Sequence, residues 1–424
     1  MTRILGISLP NHWSRAPLRH VTSCLRRGTT PAYVDTGPVR VIGQAANKNT
    51  GIDWKLTRFH DYHGDASGLK GILRPSDVII NSTGTGTLGR VGFFDGGPDK
   101  LPSMADSHIT VARFKAELIH PRFGYYWIQS QPFQEYISAA LTVGATNQIE
   151  LNRDRLVSAQ IPIPPLTEQH RIVNFLDVEA ARIDQLLAIR GKQANLLTAA
   201  LKARAVEATG RALLQLDADG SRELTVPLRR ALQAVQTGTT PGNLQDRNEA
   251  TCHDAIPWYT PAALSGLLSV GEAEKFVPAE KAQEVPHFPA GSILITGIGE
   301  SLGKVGFLDR DATGNQQITA MTPNQGSDGK FLAWQLWAAE EEIRAWAQYS
   351  RIRIINNETL RSFPIHLPPK GTQVTAAKHL DHFLDGVVRA RNLLTQFSAT
   401  MKQKRQALIA AAVTGQIGML KSDD

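Results

Sequence analysis

The sequence predicts an α+β protein with two similar globular domains in tandem, separated by two long helices that form an antiparallel coiled coil. Three observations predict this fold. A series of motifs occurs twice in the same order, each half changes once from a mixed to a helical composition, and both helical segments carry apolar residues at steps of three and four.

The chain is a tandem repeat whose two copies are related by offsets of 204 to 214 residues. The repeated motifs are GTTP (Gly28–Pro31 and Gly238–Pro241), a glycine-rich segment (Thr83–Asp95 and Thr296–Asp309), a proline-to-helix junction (Ile161–Gln169 and Ile365–Gln373) and a Thr-Gly pair ending at Gly210 and Gly415. One shared motif is a weak signal, whereas four in register indicate an internal duplication.

The first part of each half is typical of a small domain with short strands. The runs Asp77–Ile80 and Ser292–Thr296 are rich in β-branched residues and are bounded by Gly, Pro and Asn. We place the boundaries at 1–166 (first globular domain), 167–211 (central helix), 212–371 (second globular domain), 372–416 (C-terminal helix) and 417–424 (tail).

Each helical segment carries a seam suited to a partner helix. The seam residues are Val173, Leu176, Ile183, Leu187 and Leu197 in the first helix, and Leu380, Leu384, Val387, Leu394 and Met401 in the second. Helices of about 60 Å that pair antiparallel would place the two domains at opposite ends of a rod. In the alternative, each helix packs back on its own domain as ordinary core.

Local signals mark the helix ends. Thr167 and Thr372 are the predicted N-caps, since they follow the diprolines of the two junctions. Gly210 and Gly415 are expected in the left-handed conformation that commonly ends a helix.

Composition and charge exclude several classes of protein. The apolar content of 42% excludes a disordered polymer, and no apolar run reaches the roughly 18 residues of a membrane span. We expect a cytoplasmic protein, with Cys24 and Cys252 filling structural positions rather than binding a metal. The net charge of +7 is unevenly distributed along the chain. Residues 1–166 carry +6 (18 basic, 12 acidic), 167–211 carry +2 (7 and 5), 212–371 carry −4 (14 and 18) and 372–424 carry +3 (7 and 4).

The motifs provide little evidence for catalysis. Gly84, Gly86 and Gly89 match a dinucleotide-binding pattern, but a β-rich run follows where a helix is required. We therefore predict a tight turn between two strands, with a nucleotide-binding enzyme using Gly84–Gly89 as one alternative. A coiled-coil adaptor that binds proteins is the other. The sequence contains no HExxH or GxSxG motif and no Asn-Pro-Pro-aromatic tetrapeptide of a base-flipping methyltransferase.

Nucleic-acid contact is better supported by residue type. Arg, Asn and Gln make bidentate contacts with purine edges, and Lys and Arg bind phosphates. The candidates are Arg26, Arg27, Lys48, Lys55, Arg58, Arg90, Thr146, Asn147, Gln148, Lys304, Arg351 and Arg353. Different side chains at matching places in the two halves indicate two different half-sites.

The junction PPLTEQ leading into a long helix, the Thr-Gly helix end and the duplication around glycine-rich domains together resemble the specificity subunit of type I restriction-modification enzymes. The resemblance covers nearly the whole chain, although the second junction reads PPKGTQ and lacks Leu and Glu. It implies two target recognition domains, a helical spacer, no catalytic activity and a bipartite, asymmetric double-stranded DNA target. It also implies two methyltransferase (modification) subunits and restriction (motor-nuclease) subunits as partners, which would bind S-adenosylmethionine, ATP and magnesium.

Overall fold

The computed structural model describes residues 2–48, 51–84, 86–143, 149–211, 225–247, 255–264, 266–349 and 353–417. The chain divides into two compact units. Unit 1 comprises Met1–Arg190 and Gln396–Asp424, and unit 2 comprises Gly191–Thr395. Each unit therefore contains one globular domain and a stretch of each long helix.

The globular part of unit 1, domain 1, consists of short elements. Its strands are β1 (Arg3–Ile4), β2 (Ile7–Ser8), β3 (Ser14–Pro17), β4 (Thr22–Arg27), β5 (Tyr33–Val34), β6 (Val39–Ile42), β7 (Asn47–Lys48), β8 (Gly51–Ile52), β9 (Arg58–His60), β10 (Asp77–Asn81), β11 (Val91–Phe94), β12 (Ser103–Ala105), β13 (Ile109–Phe114), β14 (Thr142–Val143), β15 (Glu150–Leu151) and β16 (Gln160–Ile163). Its helices are α1 (Leu18–Val21), α2 (Pro121–Gln129), α3 (Gln131–Tyr136) and α4 (Arg153–Ser158), with a π-helical turn at Ile137–Leu141 and a 3-10 turn at Trp54–Leu56.

Domain 1 contains two four-stranded sheets. The first is antiparallel in the order β11-β10-β13-β4, and the second is mixed in the order β12-β6-β9-β5, with β12 and β6 parallel. All five residues of β10 are buried, which confirms the predicted strand at Asp77–Ile80. Helix α2 packs on the first sheet, since Phe123 and Trp127 share a core with Val78 and Ile80.

After the long helix α5 (Leu166–Ala208), the globular part of unit 2, domain 2, repeats this arrangement. Its strands are β17 (Thr225–Pro227), β18 (Leu232–Thr237), β19 (Gln245–Asp246), β20 (Ile256–Tyr259), β21 (Lys275–Val277), β22 (Ile293–Thr296), β23 (Val305–Phe307), β24 (Thr313–Gly314), β25 (Ile318–Pro323), β26 (Gln348–Tyr349), β27 (Arg353–Ile354) and β28 (Pro364–His366). Its helices are α6 (Gly329–Ala338), α7 (Glu340–Trp346) and α8 (Asn357–Ser362), and the long helix α9 (Lys370–Val413) follows.

The sheets of domain 2 reproduce the strand order of domain 1. The antiparallel sheet runs β23-β22-β25-β18, and the mixed sheet runs β24-β20-β21-β19 with β24 and β20 parallel. The duplication that the motifs predict is thus confirmed in the sheet topology.

The long helices α5 and α9 pack antiparallel. In unit 1, Asp184 Oδ1 lies 3.4 Å from Arg405 Nε, and the Arg190 guanidinium lies 4.9 Å from the centre of the Phe397 ring. In unit 2, Arg391 Nη1 donates to Thr198 Oγ1 at 3.1 Å. Residues further along α5 therefore meet residues earlier in α9, as predicted.

The ends of both helices also belong to the domain cores. Residues of α5 and α9 share a core with domain 1 at Val173, Leu176, Ile409 and Ala412, and with domain 2 at Leu201, Ala205, Leu380 and Val387. Among the predicted seam residues, Val173, Leu176, Ile183, Leu380 and Val387 are buried, and Leu187, Leu197, Leu384, Leu394 and Met401 are half-buried. The predicted pairing of the two helices is therefore confirmed, and the ends of both helices pack on the domains in addition.

The structure corrects the predicted helix starts and confirms the ends. The carbonyl of Pro165 already accepts the N–H groups of Glu168 and Gln169, and that of Pro369 accepts those of Thr372 and Gln373. Thr167 and Thr372 consequently lie inside the first turn, and their prediction as N-caps is wrong. Gly210 and Gly415 have φ of 68° and 71°, the left-handed conformation predicted for both.

None of the helices in the described part of the chain combines the length and apolar character that crossing a membrane requires.

Candidate nucleic-acid interface

Four segments of domain 1 meet at one edge of its antiparallel sheet. The N–H of Gly28 donates to the carbonyl of Ile109 at 2.9 Å, the N–H of Ser82 to that of His108 at 2.8 Å, and the N–H of Leu151 to that of Ser82 at 2.8 Å. These bonds align the GTTP loop, the glycine-rich loop, the turn before β13 and the β14–β15 hairpin. We call this surface, residues 28–31, 82–84, 86–89, 106–108 and 149–151, loop edge 1.

Domain 2 forms the same surface with equivalent bonds. The N–H of Gly238 donates to the carbonyl of Ile318 at 2.9 Å, the N–H of Gly297 to that of Gln317 at 2.8 Å, and the N–H of Ile355 to that of Gly297 at 2.9 Å. Loop edge 2 comprises residues 238–241, 296–303, 315–317 and 353–357.

The repeated GTTP motif has a structural cause. A Cβ atom on Gly28 would lie 2.0 Å from the carbonyl oxygen of Ala105, and one on Gly238 would lie 2.0 Å from that of Gly314. Only glycine permits such an approach of two backbones. The motif thus packs the loop against the neighbouring turn and leaves Thr30 and Thr240 exposed.

The glycine-rich loop is the predicted turn. It connects the antiparallel strands β10 and β11, and Gly84, Gly86 and Gly89 have φ of 96°, 77° and 80°. A dinucleotide-binding loop needs a helix directly after it, so that its amides can bind the pyrophosphate. Here β11 follows, so the interpretation of Gly84–Gly89 as a nucleotide site is wrong.

Arg26 and Arg27, the first two candidate arginines, differ in whether the guanidinium group can contact a ligand. Arg26 is exposed on β4 beside the GTTP loop. Arg27 turns inward, with Nη2 donating to Glu150 Oε2 at 3.2 Å and to the carbonyl of Ser82 at 3.4 Å. Arg26 is accordingly free to face a ligand, while Arg27 ties β4 to the hairpin.

A cation–aromatic stack flanks loop edge 1. The Arg58 guanidinium lies 4.1 Å from the centre of the Tyr33 ring, and Tyr33 Oη donates to Asp106 Oδ2 at 3.2 Å. Burial, together with the adjacent Asp106 carboxylate, raises the pKa of Tyr33 to about 12. Tyr33 therefore remains a hydrogen-bond donor at neutral pH, and the stack holds Arg58 beside the loops.

Among the other candidates, Arg353 lies in loop edge 2, and the rest lie outside the loop edges or outside the described residues. Lys48 ends β7, Lys55 lies in the turn Trp54–Leu56, and Arg353 is exposed in loop edge 2. Arg90 donates to the carbonyl of Asn47 at 3.0 Å and lines a cavity with Asp184 and Arg405 of the long helices. Arg90 thus faces the helices, and Lys304 directly precedes the corresponding strand of domain 2. Thr146, Asn147, Gln148, Arg351 and Cys252 fall outside the described residues.

Sequence reasoning missed the amide side chains in loop edge 2 and on the adjoining strand β18. Gln236 and Gln316 are exposed, and Gln316 Oε1 accepts a hydrogen bond from Thr240 Oγ1 at 2.8 Å. Gln236 occupies the position of Arg26, and Gln317 that of His108. Comparing the residues that precede GTTP in the two halves would have identified Gln236, whereas Gln316 and Gln317 lie beside no repeated motif.

Several described acidic side chains of domain 2 are paired with basic ones. Glu340 of α7 packs beside Gly303 of loop edge 2, and its carboxylate lies 3.7 Å from Lys202 Nζ and accepts from Arg344 Nη2 at 2.9 Å. Glu342 pairs with Arg211. Glu272 pairs with Arg247 near the mixed sheet. Within the described residues of loop edge 2, Glu300 is the one acidic side chain. The acidity of the domain is therefore compatible with an approach of DNA to these loops.

Comparisons with known proteins agree with this architecture. The family model described as the type I restriction modification DNA specificity domain matches residues 67–190 and 235–393. A protein of Haemophilus influenzae named as a type I restriction enzyme specificity subunit is 33% identical over 104 residues, which are 24% of this chain and 24% of that relative. The chain thus matches about a quarter of that relative's length.

The fold is similar to that of one solved structure in particular. One chain, from a structure on complex assembly and conformational transition of the type I R-M system, superposes with a TM-score of 0.67 at 18% identity, covering 97% of this chain and 100% of that one. The HsdS subunit from Thermoanaerobacter tengcongensis has a TM-score of 0.45 at 17% identity, with 97% and 98% coverage.

Proposed function

Because the chain belongs to the family of type I restriction-modification DNA specificity subunits, we propose that it recognises a bipartite, asymmetric sequence in double-stranded DNA. In this family the subunit supplies specificity and is not the catalytic component. The observation that carries the proposal is the pair of equivalent loop edges with unlike side chains. Arg26 and His108 in domain 1 correspond to Gln236 and Gln317 in domain 2.

Each loop edge would bind one half-site in the major groove. Arginine pairs with the O6 and N7 atoms of guanine, and glutamine pairs with the N6 and N7 atoms of adenine. The exposed Arg26 and Gln236 therefore have different base preferences at equivalent positions. Because the two domains share one fold but present different side chains at equivalent positions, we expect the two half-sites to differ in sequence.

The paired helices would determine the spacing between the half-sites. Two half-sites one helical turn apart are separated by about 34 Å, which is within the roughly 60 Å of a 40-residue helix. Inserting one heptad into each helix adds about 10 Å of length. We expect the DNA spacer to lengthen while both half-sites stay the same.

Two methyltransferase subunits would dock on the helices. Ile189 of α5 in unit 1 and Leu393 of α9 in unit 2 occupy equivalent positions and are 51% and 67% exposed. Val178 and Leu196 of α5 are also exposed. Because apolar residues are exposed at equivalent positions of the two helices, we expect two copies of the same partner to bind, one at each position.

The remaining parts of the reaction would belong to the partners. Methyltransferase subunits would bind S-adenosylmethionine, and restriction subunits would bind ATP and magnesium. The assembled complex would act on DNA in the cytoplasm.

The proposal is tested by co-expressing the full chain with a type I methyltransferase subunit from the same genome and sequencing the methylated bases of the host DNA. We expect methylation at one bipartite sequence with a fixed spacer, and none without this chain. A methylated sequence that is contiguous, or that is unchanged when this chain is omitted, would contradict the proposal. Capture of proteins with no DNA specificity would favour the adaptor hypothesis instead.

A further inference from the structure

An aspartate on each long helix joins that helix to its recognition domain. In unit 1, Asp177 of α5 accepts from Tyr126 Oη at 2.5 Å and from Arg122 Nε at 3.2 Å, both on α2. Because Arg122 and Tyr126 are four residues apart, they lie on one face of α2. We call these three residues joint 1.

Unit 2 contains the same joint with different side chains. Asp381 of α9 accepts from Trp334 Nε1 at 3.0 Å and from Lys330 Nζ at 2.6 Å, both on α6. Lys330 and Trp334 are again four residues apart. We call these three residues joint 2.

The repeated phenylalanine of the glycine-rich segments completes both joints. The Arg122 guanidinium lies 4.8 Å from the centre of the Phe93 ring, and Lys330 Nζ lies 5.7 Å from that of Phe307. These phenylalanines are equivalent in GFFD and GFLD. Each half has thus kept an aspartate, a cation, an aromatic donor and a phenylalanine, although Arg became Lys and Tyr became Trp between the copies.

The hydrogen bond between Tyr126 and Asp177 can fix the orientation of domain 1 on α5. The Tyr126 side chain is buried, and burial together with the Asp177 hydrogen bond raises its pKa. Tyr126 therefore remains a donor at neutral pH. The apolar contacts of α5 with domain 1 are non-directional, whereas a charged hydrogen bond has a narrow range of favourable geometry. The joint can consequently define the rotation of the domain about the helix.

To select a single spacer length in the DNA, the protein must fix the rotation of each recognition domain about its long helix. Adding one base pair moves a half-site by about 3.4 Å along the duplex and about 35° around it. A domain that rocks by this amount on its helix would accept neighbouring spacings. We propose that Asp177 and Asp381 are positioning residues for target spacing: each fixes one recognition domain on its long helix, and together they restrict the protein to a single spacer length. The inference rests on the proposed function.

The test is methylation mapping with the full chain and its methyltransferase, comparing Asp177→Ala, Asp381→Ala and the double variant with the wild type. We expect unchanged half-sites, while methylation at spacers one base pair shorter or longer rises at least about tenfold, since the loss of one charged hydrogen bond accounts for that factor and each aspartate accepts two. Asp385→Ala is the matched control, because it removes the same charge from an exposed position one turn further along α9.

Two further measurements test the role of joint 1, including the case in which Asp177→Ala does not fold. Tyr126→Phe removes one hydroxyl and keeps the ring in the core, and it should relax the spacer in the same direction if Asp177→Ala fails to fold. In a Cys24→Ser, Cys252→Ser background, electron paramagnetic resonance between labels at Lys100 and Arg182 should show a narrow distance distribution that broadens in Asp177→Ala.

The outcomes separate the two proposals. A wild-type chain that directs no bipartite methylation would overturn the proposed function and this inference together. A wild type with one spacing, and joint variants that lose methylation or thermal stability while keeping that spacing, would overturn only the inference. Equal relaxation in Asp385→Ala, or a broadened distance distribution without a change in spacing, would also overturn it.

Discussion

Gln373 at the start of α9 accepts a hydrogen bond from the backbone N–H of Asp328 at 2.8 Å through its side-chain oxygen, and Gln169 on α5 accepts one from the N–H of His120 at 2.7 Å. Both glutamines are buried, and their amide nitrogens donate to the carbonyls of Pro368 and Pro164 at 2.7 and 2.9 Å. The glutamine that ends PPLTEQ and PPKGTQ therefore ties each helix start to its domain.

The glutamate missing from PPKGTQ has a role limited to unit 1. Glu168 Oε2 accepts from Trp13 Nε1 at 3.0 Å and lies 3.0 Å from His12 Nε2. The second junction lost this bond to the N-terminal segment and kept the shared glutamine.

Gln169→Ala and Gln373→Ala should each lower the free energy of unfolding of their unit by about 2–4 kcal/mol, because each leaves buried backbone groups without partners. Urea unfolding of the full chain measures this. Gln403→Ala, at an exposed position of α9, should change it by less than about 0.5 kcal/mol. Equal effects of all three variants would contradict the role of the junction glutamines.

Gly28→Ala and Gly238→Ala should displace one loop edge each, since the new methyl group would overlap a backbone carbonyl 2.0 Å away. We expect weakened binding of the half-site that belongs to the altered domain, measured by competition with DNA carrying either half-site alone. Gly242→Ala is the control, because no atom lies within 4 Å of its Cβ position. Unchanged binding in Gly28→Ala would show that the GTTP loop is not part of the interface.

Gln316→Ala should relax one base position of the second half-site, since an exposed amide that pairs with a base contributes about 1–3 kcal/mol of discrimination. Affinities for oligonucleotides substituted at each position measure the loss. Gln325→Ala, in an exposed turn before α6, controls for removal of a surface amide. A uniform loss across all positions would assign Gln316 to the DNA backbone.

Lowering the pH should destabilise unit 1 through His120. Burial, with His170 next to it, lowers the pKa of His120 below its ordinary value of about 6.5. The unfolded chain then takes up the proton more readily, so this contribution to stability is present above about pH 6.5 and is lost as the pH falls from there through the lower pKa of folded His120. His120→Gln should reduce the difference in urea stability between pH 7.5 and 5, and His382→Gln, exposed on α9, should not. An undiminished difference in His120→Gln would contradict this cause.

The sequence predicts the duplication, the long helices and the buried strands because these depend on local patterns. It does not predict the loop edges, because bonds such as Ser82 to His108 and Leu151 to Ser82 join segments far apart in the chain. The helix starts were misplaced because proline carbonyls, rather than threonine side chains, accept the first amides. Gln316 lies beside no repeated motif, and only the fold brings it next to Thr240 of the GTTP loop.

The central claim, that each recognition domain binds one half-site independently, is tested most directly by exchanging residues 1–166 with those of a relative of different specificity and sequencing the methylated DNA. One half of the methylated sequence should become that of the relative, while the other half and the spacer stay unchanged. A change in both halves, or in neither, would contradict the account.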